Sequence, residues 1–357
     1  MRRNSSLFAL PLAALCLTAC ASSSPSAPAP AAVPSVKAAG PYHLLRAIAV
    51  GGEGGWDYLE ADRAGRRLYV SRGTRVVVLD LDTEKVVGEI PNTQGVHGVA
   101  LVPDLHRGFT SNGRSSTVTI FDTGTLATIR EVPTTGENPD AILYDPATRR
   151  VFTFNGRGKN ATAFDAATGE AAGTIPLGGK PETGVADGKG RVFVNIEDTN
   201  EVVRIDSRGL QADARWPLAP CEEPTGMAMD RSSRRLFIGC HSGKMMVLDA
   251  ENGRIVASLP IGQGVDATAF DAQASLAFAS NGDGTLTVVK EEGPDSFRVL
   301  DNVATQRGAR TMALDEKTHR IFLSTAEFGP PPAPTAERPN PRPPVLPGTF
   351  KVLVVGQ

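Results

Sequence analysis

Seven positions in this chain carry residue types that bind cations or move protons, and they recur at nearly even intervals. They are Asp57, His97, Asp140, Glu182, Thr225, Asp266 and Arg310, separated by 40, 43, 42, 43, 41 and 44 residues. Each opens an apolar run behind a Gly- or Pro-rich loop, as in "GGEGGWDYLEAD", "TQGVHGVALVPD" and "TGENPDAILYDP". Four carboxylates meeting one imidazole and one guanidinium would make a demanding site. At ~7 Å and an effective dielectric of ~20, each ionised carboxylate pair repels by roughly 2 kcal/mol. Arg310, a protonated His97, raised carboxyl pKa values, ordered water or a bound cation would have to offset that repulsion. Asp57, His97, Asp140, Glu182 and Asp266 are therefore candidate ligands for a divalent cation. An oxygen-rich set suits Ca²⁺, Mg²⁺ or Mn²⁺, and the imidazole extends the range to transition metals. The same residues are compatible with a pocket that takes a ligand without metal, or with a channel that holds only water. A slip of register would bring in Trp56, Glu223, Arg307 or Thr311 instead.

What positions these residues is a repeat. Periods of about 40–45 residues built from strands are the mark of a β-propeller blade. Each unit runs from a short first strand ("GVALV", "TGMAM") through an Asp-centred basic turn ("DPATRR", "DRSSRR") to a strongly apolar second strand ("RLYVS", "RVFTF", "RLFIG"). A third strand ("RVVVLDL", "TVTIFD") and a turn such as "DAATGE" lead to a more polar fourth ("VVGEIP", "IVASLP"). β-branched residues in short runs with Gly, Asp and Asn punctuation favour strands, and no long helical period competes. The expectation is an all-β, seven-bladed propeller with four-stranded antiparallel blades. The seventh unit lacks a fourth strand, while "YHLLRAIAVGG" at residues 42–52 is left over at the other end. Joining the two would pair an otherwise open edge, so the N-terminal strand is expected to complete the last blade. First strands line a propeller's channel, so the seven residues should converge at one mouth.

The motifs "RLYVS", "GFTSNG", "VFTFNG" and "AFASNG", each followed by a "DxxTG"-like turn, resemble YVTN-type repeats. The arrangement over roughly residues 42–357 is similar to the exported YncE-like seven-bladed propellers. The resemblance implies the fold and says little about function, since that family mostly lacks an assigned biochemical role. Units four and five depart from it, with "VFVNIED" and "LFIGCHS" in place of the usual "SNG".

A second set, at the ends of the second strands, comprises Arg72, Asn112, Asn155, Asn195, His241, Asn281 and Glu327. Asn before Gly is first of all turn chemistry. His241 and Glu327 are not explained that way and join the candidate ligand-binding residues, together with Arg72, Asn112, Asn155 and Asn281. His43, His106 and His319 are expected at the surface. Cys221 and Cys240 are an even pair for a disulfide in an oxidising compartment, with free thiols as the alternative. A Cys-based metal site would need more partners.

The ends bound the setting. Residues 1–19 carry Arg2 and Arg3, an apolar core and "LTAC", and read as a lipoprotein-type export signal, with Cys20 the residue acylated. An ordinary signal cut near Ala21 is the alternative. Residues 20–40 read as an Ala/Ser/Pro-rich tether, and residues 41–357 as a single propeller domain. Lipid at Cys20 would hold the protein on a membrane without spanning it, with the periplasmic face of the outer membrane favoured over the inner membrane. Loss of residues 1–19 leaves 35 basic against 39 acidic residues, a mildly acidic surface and a poor footprint for nucleic acid. Residues 329–347 hold nine prolines and cannot join a ladder or form a helix. They could cover the channel mouth, dock a partner or form an ordered loop.

Three functions fit. The first is a monomeric envelope binding or scaffold module whose small ligand or protein partner sits at the polar channel face. The second is a lyase or lactone-type hydrolase using a divalent metal and His97 as acid/base, an analogy with other seven-bladed enzymes. The third is periplasmic binding of a metal or metal complex. No nucleophile elbow, HExxH or CxxCH motif is present to favour catalysis.

Overall fold

The computed structural model describes residues 41–335 and 341–357. The signal, Cys20, the tether and residues 336–340 of the proline stretch lie outside the described residues. Among those described, 28 strands form seven four-stranded antiparallel sheets, with two 3₁₀ turns (Pro103–Leu105 and Glu197–Thr199). This is the expected seven-bladed propeller. Blades 1 to 6 span residues 59–90, 96–133, 139–176, 181–217, 224–260 and 265–304. Blade 7 is built from Met312–Asp315, Arg320–Thr325, Lys351–Gly356 and, on its outer edge, the N-terminal strand His43–Ala49. The two ends of the chain pair antiparallel from His43↔Gly356 to Ala49↔Lys351, as the repeat count required.

Burial explains the strand sequences. Blades pack face to face, so the two middle strands are covered on both sides and read as continuous apolar runs. In blade 1, Leu68 through Arg72 and Val76 through Leu79 are all buried. Outer strands keep one face in water and alternate, as Gln211–Pro217 does residue by residue. Seven hydrophobic clusters account for the core, among them one where Phe152 and Phe154 of blade 3 meet Val192 and Val194 of blade 4.

The repeated basic residue at the head of the second strand has a structural use. Arg107 donates to the carbonyls of Ala166 and Ala167 in blade 3, and Arg150 to those of Ser207 (2.5 Å) and Arg208 in blade 4. Arg67 and Arg235 do the same to blades 2 and 6. Blades 1, 2, 3 and 5 thus grip the turn between the third and fourth strands of the next. The Asp that ends the third strand builds that turn: Asp122 Oδ1 accepts from the amides of Gly124 (3.0 Å) and Thr125 (2.7 Å).

Candidate functional site

Five of the seven aligned residues sit where the ladder is broken. Register shifts fall between Val96/Val99, Pro139/Ile142, Pro181/Gly184, Pro224/Met227 and Val265/Ala267, bracketing His97, Asp140, Glu182, Thr225 and Asp266. A bulge re-aims a side chain that a regular strand would bury in the next blade. Asp57 and Arg310 lie just ahead of the first strands of blades 1 and 7. Hydrogen bonds from blade to blade fix the ring. Ser111 Oγ donates to the Asp140 carbonyl, Asn195 Nδ2 to that of Thr225 (2.9 Å), and Ser280 Oγ to that of Arg310 (2.5 Å). Thr311 Oγ1 donates to the Asp57 carbonyl at 2.9 Å.

His97 is the hub. Its Nδ1 lies 2.6 Å from Asp57 Oδ2 and 3.5 Å from Asp140 Oδ1. One ligand atom from each of Asp57, His97 and Asp140 falls within 4.8 Å of the others. The edge of the ring faces Gly113 of the "SNG" motif, where an added Cβ would lie 2.5 Å from Nε2. Burial works against the imidazolium, but the hydrogen bond to Asp57 and the fields of Asp140 and Glu182 raise its pKa to about 9. Burial, with Asp57 adding and His97 opposing, lifts Asp140 to about 6. Burial likewise lifts Asp266 to about 6 against the pull of Arg310, which is ion-paired with it. Glu182 is pushed well above the usual carboxylate range by burial and by Asp140. Lys180 lies 3.6 Å from Glu182 and is also paired with Glu197. These carboxyls resist ionising chiefly because burial strips them of water, and secondly because they crowd one another.

One ring residue goes beyond the sequence reading. Tyr58 reaches across the axis from blade 1 to blade 4, its hydroxyl 3.2 Å from Glu182 Oε1 and 3.2 Å from Thr183 Oγ1. Burial, then the fields of Glu182, Asp140, Asp57 and Asp266, hold its phenol well above the ordinary value. Tyr58 forms the floor of the acidic well. On its far side a cavity of about 660 Å³ opens to the opposite face between Glu60, Leu101, Leu143 and Val185. The signal was present: the residues following the other six ring positions are Gly98, Ala141, Thr183, Gly226, Ala267 and Thr311. All are small, and they leave the axis to one tyrosine.

The second set lies elsewhere. Asn112, Asn155 and Asn281 are fully buried, and each side-chain amide binds two acceptors in or beside the third strand of its own blade, such as Thr117 and Thr119 for Asn112. They pin strands and do not face the well. Arg72 is buried too, donating to carbonyls of Gly51 through Gly55 with its guanidinium 3.8 Å from the Phe350 ring centroid. Thr225 turns its hydroxyl to the Val265 carbonyl. His319, expected at the surface, has Nδ1 2.5 Å from buried Asp271 of blade 6. Cys221 and Cys240 are disulfide-bonded, their Cα atoms 5.5 Å apart.

His241 and Glu327 do open on the ring face, beside a separate cavity of about 880 Å³. His241 pairs with Glu223 at 3.0 Å and Glu327 with Lys351. Trp56 and Phe328 line this cavity, with Arg307, Arg310 and Arg342. Gly329, Pro331, Arg342, Pro343 and Val345 of the proline excursion also line it. The neck of that excursion is closed by Gly329 N donating to the Pro344 carbonyl (2.9 Å) and Leu346 N to that of Glu327 (2.8 Å).

No family model matches the chain, and no curated protein matches it. Solved structures resemble it in fold. Hydrazine synthase of Kuenenia stuttgartiensis superposes with a TM-score of 0.66 at 14% identity, covering 75% of this chain and 92% of that one. U3-55K superposes with a TM-score of 0.71 at 9% identity, covering 87% of this chain and 98% of that one. At such identities the likeness carries the architecture and no activity, and the chain is a seven-bladed β-propeller.

Proposed function

We propose that the protein is an exported binding propeller of the YncE-like kind, lipid-anchored at Cys20 to the periplasmic face of the outer membrane. Its ligand is a cation held in the acidic well, first of all a divalent metal ion. The observation that carries this is the clustering of Asp57, His97 and Asp140 donor atoms within 4.8 Å, with Glu182 and Asp266 behind them. Two carboxylates and an imidazole suit Mn²⁺ or Zn²⁺ as well as Ca²⁺, with the ion displacing the proton that His97 otherwise holds. Such an ion would offset the burial and mutual repulsion that raise the carboxyl pKa values. Calorimetric titration of the metal-stripped protein with each ion should find one site per chain. At a hundredfold excess over Kd the ion should stabilise the fold by about 2.7 kcal/mol. Asp140→Asn and His97→Ala should abolish the site. No bound ion of the three, with melting indifferent to chelator, would overturn the reading. Palmitate labelling lost in Cys20→Ala tests the anchor.

The 2.6 Å contact of His97 with Asp57 favours one second reading. An oriented imidazole beside a cation site can act as general acid/base, so a lyase or lactone hydrolase fits the same geometry. Turnover of a lactone panel by the wild type, and its loss in His97→Ala, would decide for it.

A further inference from the structure

We propose that the 880 Å³ side cavity is a second ligand site, which takes a small planar aromatic anion. The volume falls in the range of small-molecule pockets, which combine apolar walls with a few placed polar groups. The apolar wall is a chain of tilted rings, with Trp56 inclined 46° to Phe350 and 52° to Phe328. Arg72 lies over Phe350, Phe350 lies 5.3 Å from Trp56, and Trp56 lies 6.2 Å from Phe328, centroid to centroid. Arg72 is itself held by backbone carbonyls, so the indole is set before any ligand arrives. Trp56 and Phe328 are only partly buried and offer ring surface to the cavity. Gly264, Gly282 and Gly308 also line it and add no side chain to fill it.

The charge follows from which groups are already committed. Arg310 is paired with Asp266, His241 with Glu223, and Glu327 with Lys351. Arg307 and Arg342 are exposed, line the cavity and have no acid partner among the described residues. The two uncommitted charges are therefore both guanidinium groups, suited to a carboxylate or phosphate edge. A planar ligand lying on the Trp56–Phe328 wall with its anionic group toward these arginines satisfies both. This site shares Arg310 with the well, where that residue is committed to Asp266, and the two arginines it relies on lie outside the cation ligands.

The test uses 2-naphthoate and its uncharged, equally planar analogue 2-naphthamide, titrated calorimetrically into the chain from residue 41 onward. Naphthoate is expected to bind with a Kd below about 1 mM, and naphthamide at least about tenfold more weakly. The Arg307→Gln/Arg342→Gln double variant should lose about tenfold for naphthoate and nothing for naphthamide. Both substitutions are at exposed positions, and an unchanged melting temperature checks the fold. Phe328→Ala should weaken both probes, and Asp140→Asn neither. Equal affinity for the two probes, indifference to the arginine changes, or no binding of naphthoate at about 1 mM would each overturn the proposal.

Discussion

At the scale of single residues, the channel is organised by what cannot ionise freely. Above Tyr58 the well concentrates carboxyls. Below it Glu60 stands apart, with burial first and then Asp62 and Glu316 raising its pKa to about 8. The sign of the consequence is opposite to ordinary acid denaturation. A carboxyl whose folded pKa lies above its unfolded value of 4.5 stabilises the fold most while protonated. That contribution is present below pH 4.5 and is lost as pH rises through 8. Glu60→Gln keeps the shape and removes the charge. It should flatten the decline and be the more stable protein at pH 9 by roughly 1–3 kcal/mol, with little difference at pH 4.5. Urea midpoints at the two pH values measure this, and a variant effect equal at both would show that Glu60 does not titrate in this way.

At the scale of the strand and turn, the N-terminal strand has the most to lose. It covers Lys351–Gly356, whose sequence "KVLVVG" would otherwise be an exposed apolar edge. Tyr42, just ahead of it, is 3% exposed and packs edge-on against Phe278 of blade 6 at 5.2 Å. Tyr42→Ala should cost about 3 kcal/mol. Starting the chain at residue 51 should produce aggregates on gel filtration that a chain starting at residue 41 does not form. A truncated chain that stays monomeric and melts unchanged would deny the strand its closing role. That strand was legible in the sequence because repetition makes an unpaired unit visible by counting. The blade borders, the doubly buried middle strands and the ring register were legible for the same reason. The asparagines read first as turn residues, and only their place at the strand ends makes them candidate ligands; burial shows that Asn112 instead pins Thr119. The course of Tyr58 across the axis needed three dimensions, since no local pattern says which way a side chain leaves a strand end.

At the scale of the whole molecule, a closed ring carries a seam where its last blade meets its first, and here the chain crosses it through residues 50–58, between the N-terminal strand of blade 7 and Leu59 of blade 1. Here the seam has its own clamp. Arg66 of blade 1 donates to both carboxylate oxygens of Asp315 in blade 7, at 2.8 and 2.9 Å, and also to Asp82 at 2.8 Å. Asp315 is 1% exposed, and burial alone would raise its pKa. The bonds from Arg66 and Thr318 outweigh burial and hold it below the usual range. The cost of removing Arg66 is therefore mostly the cost of a stranded buried carboxylate, and Arg66→Ala should destabilise by about 3 kcal/mol. Asp315→Asn keeps an acceptor for the Lys317 amide, can donate in turn to the Thr318 hydroxyl, and carries no charge, so in its background the loss of Arg66 should be much smaller. A double-mutant cycle should give a coupling of about 1–3 kcal/mol between the two sites. Arg150, which grips only backbone carbonyls of blade 4, strands no charge when removed, and Arg150→Ala should cost about 1 kcal/mol. If the Arg66 and Asp315 effects simply add, or if Arg150→Ala costs as much as Arg66→Ala, the seam is no different from the other six junctions. Closure would then rest on the outer strand alone.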